Sequence, residues 1–168
     1  MRAADARPSR ADIAACLAAH PPRLTPGVAE VVAKLHERGV AVCLVSGGFR
    51  LMIEPVADRI GISRERIWAN SLEFDAAGGF VRHDDRGPTS RSGGKPAVVA
   101  ELQRAPHAHV VMVGDGGTDL EAKPSADAFI GFGGVAERGA VRDGADWFVR
   151  DFADVRARAQ RPPSCGEI

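Results

Sequence analysis

Stretches in which apolar residues recur every three or four positions alternate along this chain with short, continuous apolar runs. That alternation of helical and strand periods predicts an α/β fold with a largely parallel sheet. Ser9 can cap a first helix over Arg10–Ala19, with Ile13, Leu17 and Ala18 on one side, and Pro21-Pro22 ends it. Thr25-Pro26 reads as N-cap and first helical position of a second helix, whose stripe is Val28, Val31, Val32 and Leu35 and whose stop is Gly39. Val40–Val45 has the unbroken apolar character of a strand buried on both faces. Ser46-Gly47-Gly48 follows it and leads into a helix that runs to Ile60 and stops at Gly61.

Further on, Ile67–Phe74 reads as a strand, Asp75–Gly79 as turn chemistry and Phe80–Arg82 as the returning arm of a hairpin. A helix over Lys95–Arg104 and strands at His109–Val113, Ala128–Phe132 and Trp147–Val149 complete the pattern. From Arg156 the chain is Arg-rich and lacks a core pattern, which predicts a frayed tail. The resulting organisation is a helical stub over residues 1–22, one core domain over 23–154 and a flexible tail over 155–168.

Composition narrows the function classes. At 168 residues with 45% hydrophobic content, the chain can bury the core of one domain. Lys plus Arg and Asp plus Glu both number 22, so the net charge of +0 gives no reason to expect a nucleic-acid or anionic-membrane partner. Nor does any apolar stretch approach the roughly 20 residues of a membrane span. Cys16, Cys43 and Cys165 are odd in number and far apart, with neither disulfide-framework nor zinc-ligand spacing. A reducing, cytoplasmic setting is the default expectation, or a plastid if a transit segment lies upstream. Oligomeric state is not legible.

Candidate chemistry lies in three loops, where ligands gather outside the carboxyl ends of parallel strands. Ser46, Gly47 and Gly48 combine a hydroxyl with side-chain-free backbone N–H groups at a helix start, which suits an anion or a plain turn. Lys95 follows Ser92-Gly93-Gly94 and adds a cation where the helix dipole already favours anions; a surface lysine is the plainer reading. In Gly114-Asp115-Gly116-Gly117-Thr118-Asp119, two carboxylates four residues apart straddle glycines after an apolar strand. Such oxygens suit Mg²⁺, which takes one or two protein carboxylates and keeps waters or phosphate oxygens. Gly131-Phe132-Gly133-Gly134-Val135-Ala136, with Asp151 beyond, loosely matches a dinucleotide fingerprint. The helix available before Gly139 and Gly144 is too short for a normal crossover, so this stays a weak alternative.

Taken in order, Val-Ser-Gly-Gly-Phe-Arg, Ser-Gly-Gly-Lys and Val-Gly-Asp-Gly-Gly-Thr-Asp-Leu-Glu-Ala resemble the haloacid dehalogenase-like phosphatases, and among them the phosphoserine phosphatase family. Pro21–Gly27, Ala69-Asn70, Ala126–Gly134 and Trp147–Phe152 are similar to that family too. The resemblance implies a Rossmann-like core with helices on both faces, and Mg²⁺-dependent hydrolysis of O-phospho-L-serine, the last step of serine biosynthesis. An aspartate would attack the phosphoryl group, and water would hydrolyse the aspartyl-phosphate. By matching position, Ser46 with the Gly47 N–H would hold phosphate, and Gly48 completes that loop. Lys95 would pair with the phosphoryl group and the nucleophile, and Asp115 would ligate Mg²⁺. Thr118 and Asp119 would order the metal's surroundings or the substrate.

The family's nucleophile lies in an Asp-x-Asp-x-Thr motif that ends its first strand, and these residues contain no such motif. Asp5-Ala6-Arg7 and Asp84-Asp85-Arg86 both fail it. The resemblance therefore implies a core without its central strand and most of its cap, missing through a short gene model or a genuine truncation. The chain as written is expected to be inactive, and a pseudo-phosphatase that binds phosphate without turnover is the alternative. Without that strand, Val40–Val45 and His109–Val113 are expected to flank a slot, each lacking its inner partner.

Overall fold

The computed structural model describes residues 7–84 and 87–160. Helix α1 spans Arg10–Ala19, and Ser9 caps it as expected: its hydroxyl accepts from the Asp12 N–H (3.1 Å) while Asp12 reaches back to the Ser9 N–H (2.9 Å). Helix α2, Val28–Glu37, starts later than Thr25-Pro26 suggested. Gly27 is its N-cap in a left-handed conformation, and the Thr25 carbonyl accepts from Val28. Strand β1 is Leu44–Phe49 and α3 is Arg50–Arg59. Strand β2, Ile67–Asn70, pairs in parallel with β1, with Leu44 opposite Ile67 and Val45 opposite Trp68.

The expected strand at Val40–Val45 is corrected in two ways. The Val40 N–H donates to the Leu35 carbonyl (2.9 Å), which assigns Val40 to the helix stop and leaves it 45% exposed. The ladder instead starts at Leu44 and runs on through the glycines. Ile67–Phe74 is likewise two strands, broken at Ser71. The second, β3 (Leu72–Phe74), turns away to form an antiparallel hairpin with β4 (Phe80–His83). Asp75 organises that turn, its carboxylate accepting from the N–H groups of Ala77 and Gly79.

Helix α4 covers Gly94–Leu102. Strand β5 is Val111–Gly114, two residues later than the pattern indicated, because the Asp127 carboxylate takes the Val110 N–H (2.6 Å) before a ladder can begin. The Gln103 amide and that same N–H hold the Asp127 carboxyl below its ordinary range. The short helix α5 (Gly117–Leu120) leads to β6 (Ala128–Phe132), α6 (Gly139–Gly144), β7 (Trp147–Val149) and α7 (Phe152–Ala159). Strands β5, β6 and β7 form a parallel sheet with β6 in the middle. Since α7 reaches Ala159, the tail boundary expected at 154/155 falls inside a helix that packs on α2; residues 161–168 and 1–6 lie outside the described residues.

Two cores follow. One gathers Val32, Ala57, Ile60, Ile62 and Ile67; the other gathers Val99, Met112, Ala122, Phe129 and Val141. Helices α2 and α7 join them, with Phe152 stacked on Phe132 (ring centroids 4.5 Å apart) and Arg38 donating to the Ala159 carbonyl. The α/β architecture with parallel sheets is as the sequence implied. Among the described residues, β1 pairs with β2 and β5 with β6, but β1 and β5 do not pair with each other. On β5, Val111 and Val113 share one face and are 51% and 41% exposed, while Met112 on the other face enters the second core. Amide hydrogen exchange should therefore be slowest in β6, which has a partner on both sides, and faster in β1 and β5. Protection of β1 and β5 as strong as that of β6 would contradict this topology.

Candidate active site

The three loops singled out from the sequence all sit at strand carboxyl ends or helix starts, and hydrogen bonds tie them into one arc. At the end of β1, the Gly48 N–H donates to Ser46 Oγ (3.0 Å). A hydroxyl that accepts in this way keeps its own O–H as a donor for an anion. Gly47 is exposed, and its carbonyl accepts from the Asn70 side-chain amide at the end of β2 (2.8 Å). The same amide meets Thr89, whose hydroxyl donates to Asn70 Oδ1 (3.0 Å) and whose carbonyl accepts from Asn70 Nδ2 (3.4 Å).

Thr89 lies in the short turn Pro88–Ser90, directly beneath the start of α4. A Cβ at Gly94 would sit 2.0 Å from the Pro88 carbonyl oxygen, so only glycine lets the first turn of α4 rest on that backbone. This close seat places Lys95, whose ammonium forms an ion pair with Asp119 Oδ1. The other Asp119 oxygen accepts from the N–H groups of Asp115 (3.1 Å) and Gly116 (2.9 Å). Gly114 makes room for this arrangement, since a Cβ there would fall 2.2 Å from that of Asp119.

Asp119 and Thr89, 6% and 7% exposed, are the buried polar side chains among the described residues. Asp115 is half-buried, and Thr118 is exposed beside it. Arg138, the residue before α6, donates through Nη1 to the Asp115 carbonyl (2.8 Å) and to Asp115 Oδ2 (2.5 Å). Among the described residues, no group of three His, Cys, Asp or Glu side chains converges as a metal centre would require if it were built from protein alone. Asp115 offers one carboxylate, which fits Mg²⁺ when phosphate oxygens and waters complete its shell. Asp119, with both oxygens already committed, is arranged to hold Lys95 and the loop.

Asn70, Thr89 and Arg138 belong to this arc although sequence reasoning gave none of them a role. A polar residue closing a parallel strand, as Asn70 closes β2, was the signal available for one of them. The dinucleotide alternative finds no support in the geometry. A Cβ at Gly133 would strike the Phe148 ring (2.4 Å), so that glycine serves packing, and Asp151 caps α7 by accepting from the Ala153 N–H (2.8 Å). Cys43 is half-buried, and burial pushes its thiol up from the ordinary cysteine range, which disfavours the thiolate.

The model of the haloacid dehalogenase-like hydrolases matches residues 1–122. Phosphoserine phosphatase of Bos taurus is 47% identical over 150 residues, covering 89% of this chain and 67% of that protein. The structure of DsGPDH of Dunaliella salina superposes with a TM-score of 0.79 at 40% identity, over 91% of this chain and 26% of that one. A phosphoserine phosphohydrolase-like protein from Francisella tularensis gives 0.75 at 27% identity, over 90% of this chain and 70% of its own. The chain belongs to the haloacid dehalogenase-like hydrolases, with Ser46 and Asp115 at the carboxyl ends of parallel strands and Lys95 at a helix start. Within them its family is that of the phosphoserine phosphatases, about two thirds of whose length it spans in the bovine case.

Asp119 generates a stability prediction. Replacing it with alanine strands the Lys95 ammonium and two backbone N–H groups in a largely dry setting, at a cost of about 3–5 kcal/mol. Urea denaturation should show that loss for Asp119→Ala and a smaller one for Asp119→Asn, which keeps the oxygen facing the loop. Equal stability of Asp119→Ala and the parent would refute the central place of this carboxylate.

Proposed function

We propose that these residues form the phosphate- and cation-binding half of a phosphoserine phosphatase site, acting on O-phospho-L-serine with Mg²⁺. One observation carries the reading: the Lys95–Asp119 ion pair draws the α4 start and the β5 loop together, as the motif order of the family calls for. In this reading the Ser46 O–H and the Gly47 N–H donate to phosphoryl oxygens, with Gly48 holding the hydroxyl in place. Lys95 neutralises the same oxygens and would stand beside the nucleophile. Asp115 is the protein's direct ligand to the cation, Thr118 faces the substrate side, and Asp119 acts through Lys95. When bound, Mg²⁺ would draw negative charge from the transferring phosphoryl group. For a cation to reach Asp115 Oδ2, Arg138 has to give up that oxygen, while its bond to the Asp115 carbonyl can persist.

Phosphoryl transfer in this family needs the aspartate of an Asp-x-Asp-x-Thr segment, which these 168 residues do not contain. The chain by itself is thus proposed to bind phosphate without turning it over, the nucleophile entering on a strand between β1 and β5. Because residues of such a unit act together, phosphate release from O-phospho-L-serine should be lower by on the order of 10⁶ than in a complete enzyme. Adding an apolar strand that ends in Asp-x-Asp-x-Thr should restore turnover and raise Tm. Ordinary turnover by the purified chain alone would overturn the assignment.

The cation gives a separate test. Isothermal calorimetry should detect weak Mg²⁺ binding that Asp115→Asn abolishes and Asp119→Asn only reduces, because one carboxylate makes the direct contact. Tight binding that is indifferent to Asp115→Asn would place the cation elsewhere.

A further inference from the structure

The two buried polar side chains of the site have parallel positions in the arc, yet only Asp119 has a role so far. Thr89 is buried as deeply, and its hydroxyl is spent on one acceptor, Asn70 Oδ1 (3.0 Å). The Gly47 and Thr89 carbonyls, which can only accept, fix which way the Asn70 amide faces, and the Thr89 hydroxyl then holds it by donating to Oδ1. With its oxygen turned to Thr89, the amide nitrogen is presented to the Gly47 carbonyl (2.8 Å). A flipped amide would set oxygen against the carbonyl oxygens of both Gly47 and Thr89.

The peptide between Gly47 and Gly48 is planar and trans, so its carbonyl and its N–H point in opposite directions. Asn70 grips the carbonyl end, and the N–H end donates to Ser46 Oγ (3.0 Å). Glycines on both sides of this plane would otherwise let it rotate freely. The orientation of the Ser46 hydroxyl is thus set, through one rigid plane, by a side chain on a different strand.

We infer that Asn70 and Thr89 are a positioning pair for the anion-binding hydroxyl of Ser46, working through the Gly47–Gly48 peptide. Neither touches the anion. Because Thr89 also lies under the start of α4, the pair fixes Ser46 relative to Lys95, so hydroxyl and ammonium converge on one phosphoryl group. The inference rests on the phosphate-binding reading given above.

The test uses the full chain and inorganic phosphate followed by calorimetry. Thr89→Val keeps the shape and removes the hydroxyl; phosphate affinity should fall about tenfold, the scale of one lost hydrogen bond. Thr89→Ser restores the donor and should bind within about twofold of the parent, a rescue that packing at position 89 would not give. Asn70→Asp keeps the shape but turns an anionic oxygen toward the Gly47 carbonyl, and should weaken phosphate further, by roughly a hundredfold. The amide resonance of Gly48 should shift in Thr89→Val and return in Thr89→Ser, a readout that needs no ligand. Equal phosphate affinity in the parent, Thr89→Val and Asn70→Asp would overturn the positioning role and leave the binding site standing. A parent that binds no phosphate, with Gly48 unmoved in every variant, would overturn both.

Discussion

A buried carboxylate can persist only if every lone pair it turns inward is answered, and Asp119 meets that condition with one ammonium and two backbone N–H groups. Much of the site's geometry follows from this requirement. Lys95 must come from a helix start near enough to reach it, so α4 has to sit hard against the turn before it, and position 94 has no room for a side chain. The loop after β5 must curl over the same carboxylate, so position 114 has none either. The glycines that look like generic loop punctuation in the sequence are thus the contact points of a compact charged assembly.

The arc has two anchors of different character. At the Lys95 end, a charged pair sets position electrostatically. At the Ser46 end, neutral groups do it through directed hydrogen bonds and a rigid peptide plane. The difference suits the tasks: a cation tolerates small displacements because Coulomb attraction falls off slowly, whereas a hydroxyl donor is useful only in one direction. Arg138, between β6 and α6, adds a further tie to the arc by closing on Asp115.

Most of the elements were legible because their cause is local. Ser9 and Asp12 form a reciprocal cap, and Ala128–Phe132 and Trp147–Val149 appear with the bounds their apolar runs suggest. Strand starts were less legible where a side chain from elsewhere intercepts a backbone donor, as Asp127 does at Val110. Helix α2 began late because left-handed backbone at Gly27, not the Thr25-Pro26 signal, decides the entry. Of the site, Ser46, Lys95 and Asp115 could be found from motif spacing. Asn70, Thr89 and Arg138 could not, because their roles depend on partners 19 to 23 residues away that periodicity does not reveal.

Two cores assembled from successive lengths of chain have a consequence for synthesis. The first core draws on residues from Leu24 to Ala69, and the second on residues from Val99 to Phe148. Emerging from a ribosome, the first group can bury its apolar side chains before the second has been made, because none of its members waits for a later one. Helix α7, the last element among the described residues, packs back on α2, the earlier core's own helix, with Arg38 reaching the Ala159 carbonyl. A helix made after both groups is therefore the clasp that locks two already collapsed halves together.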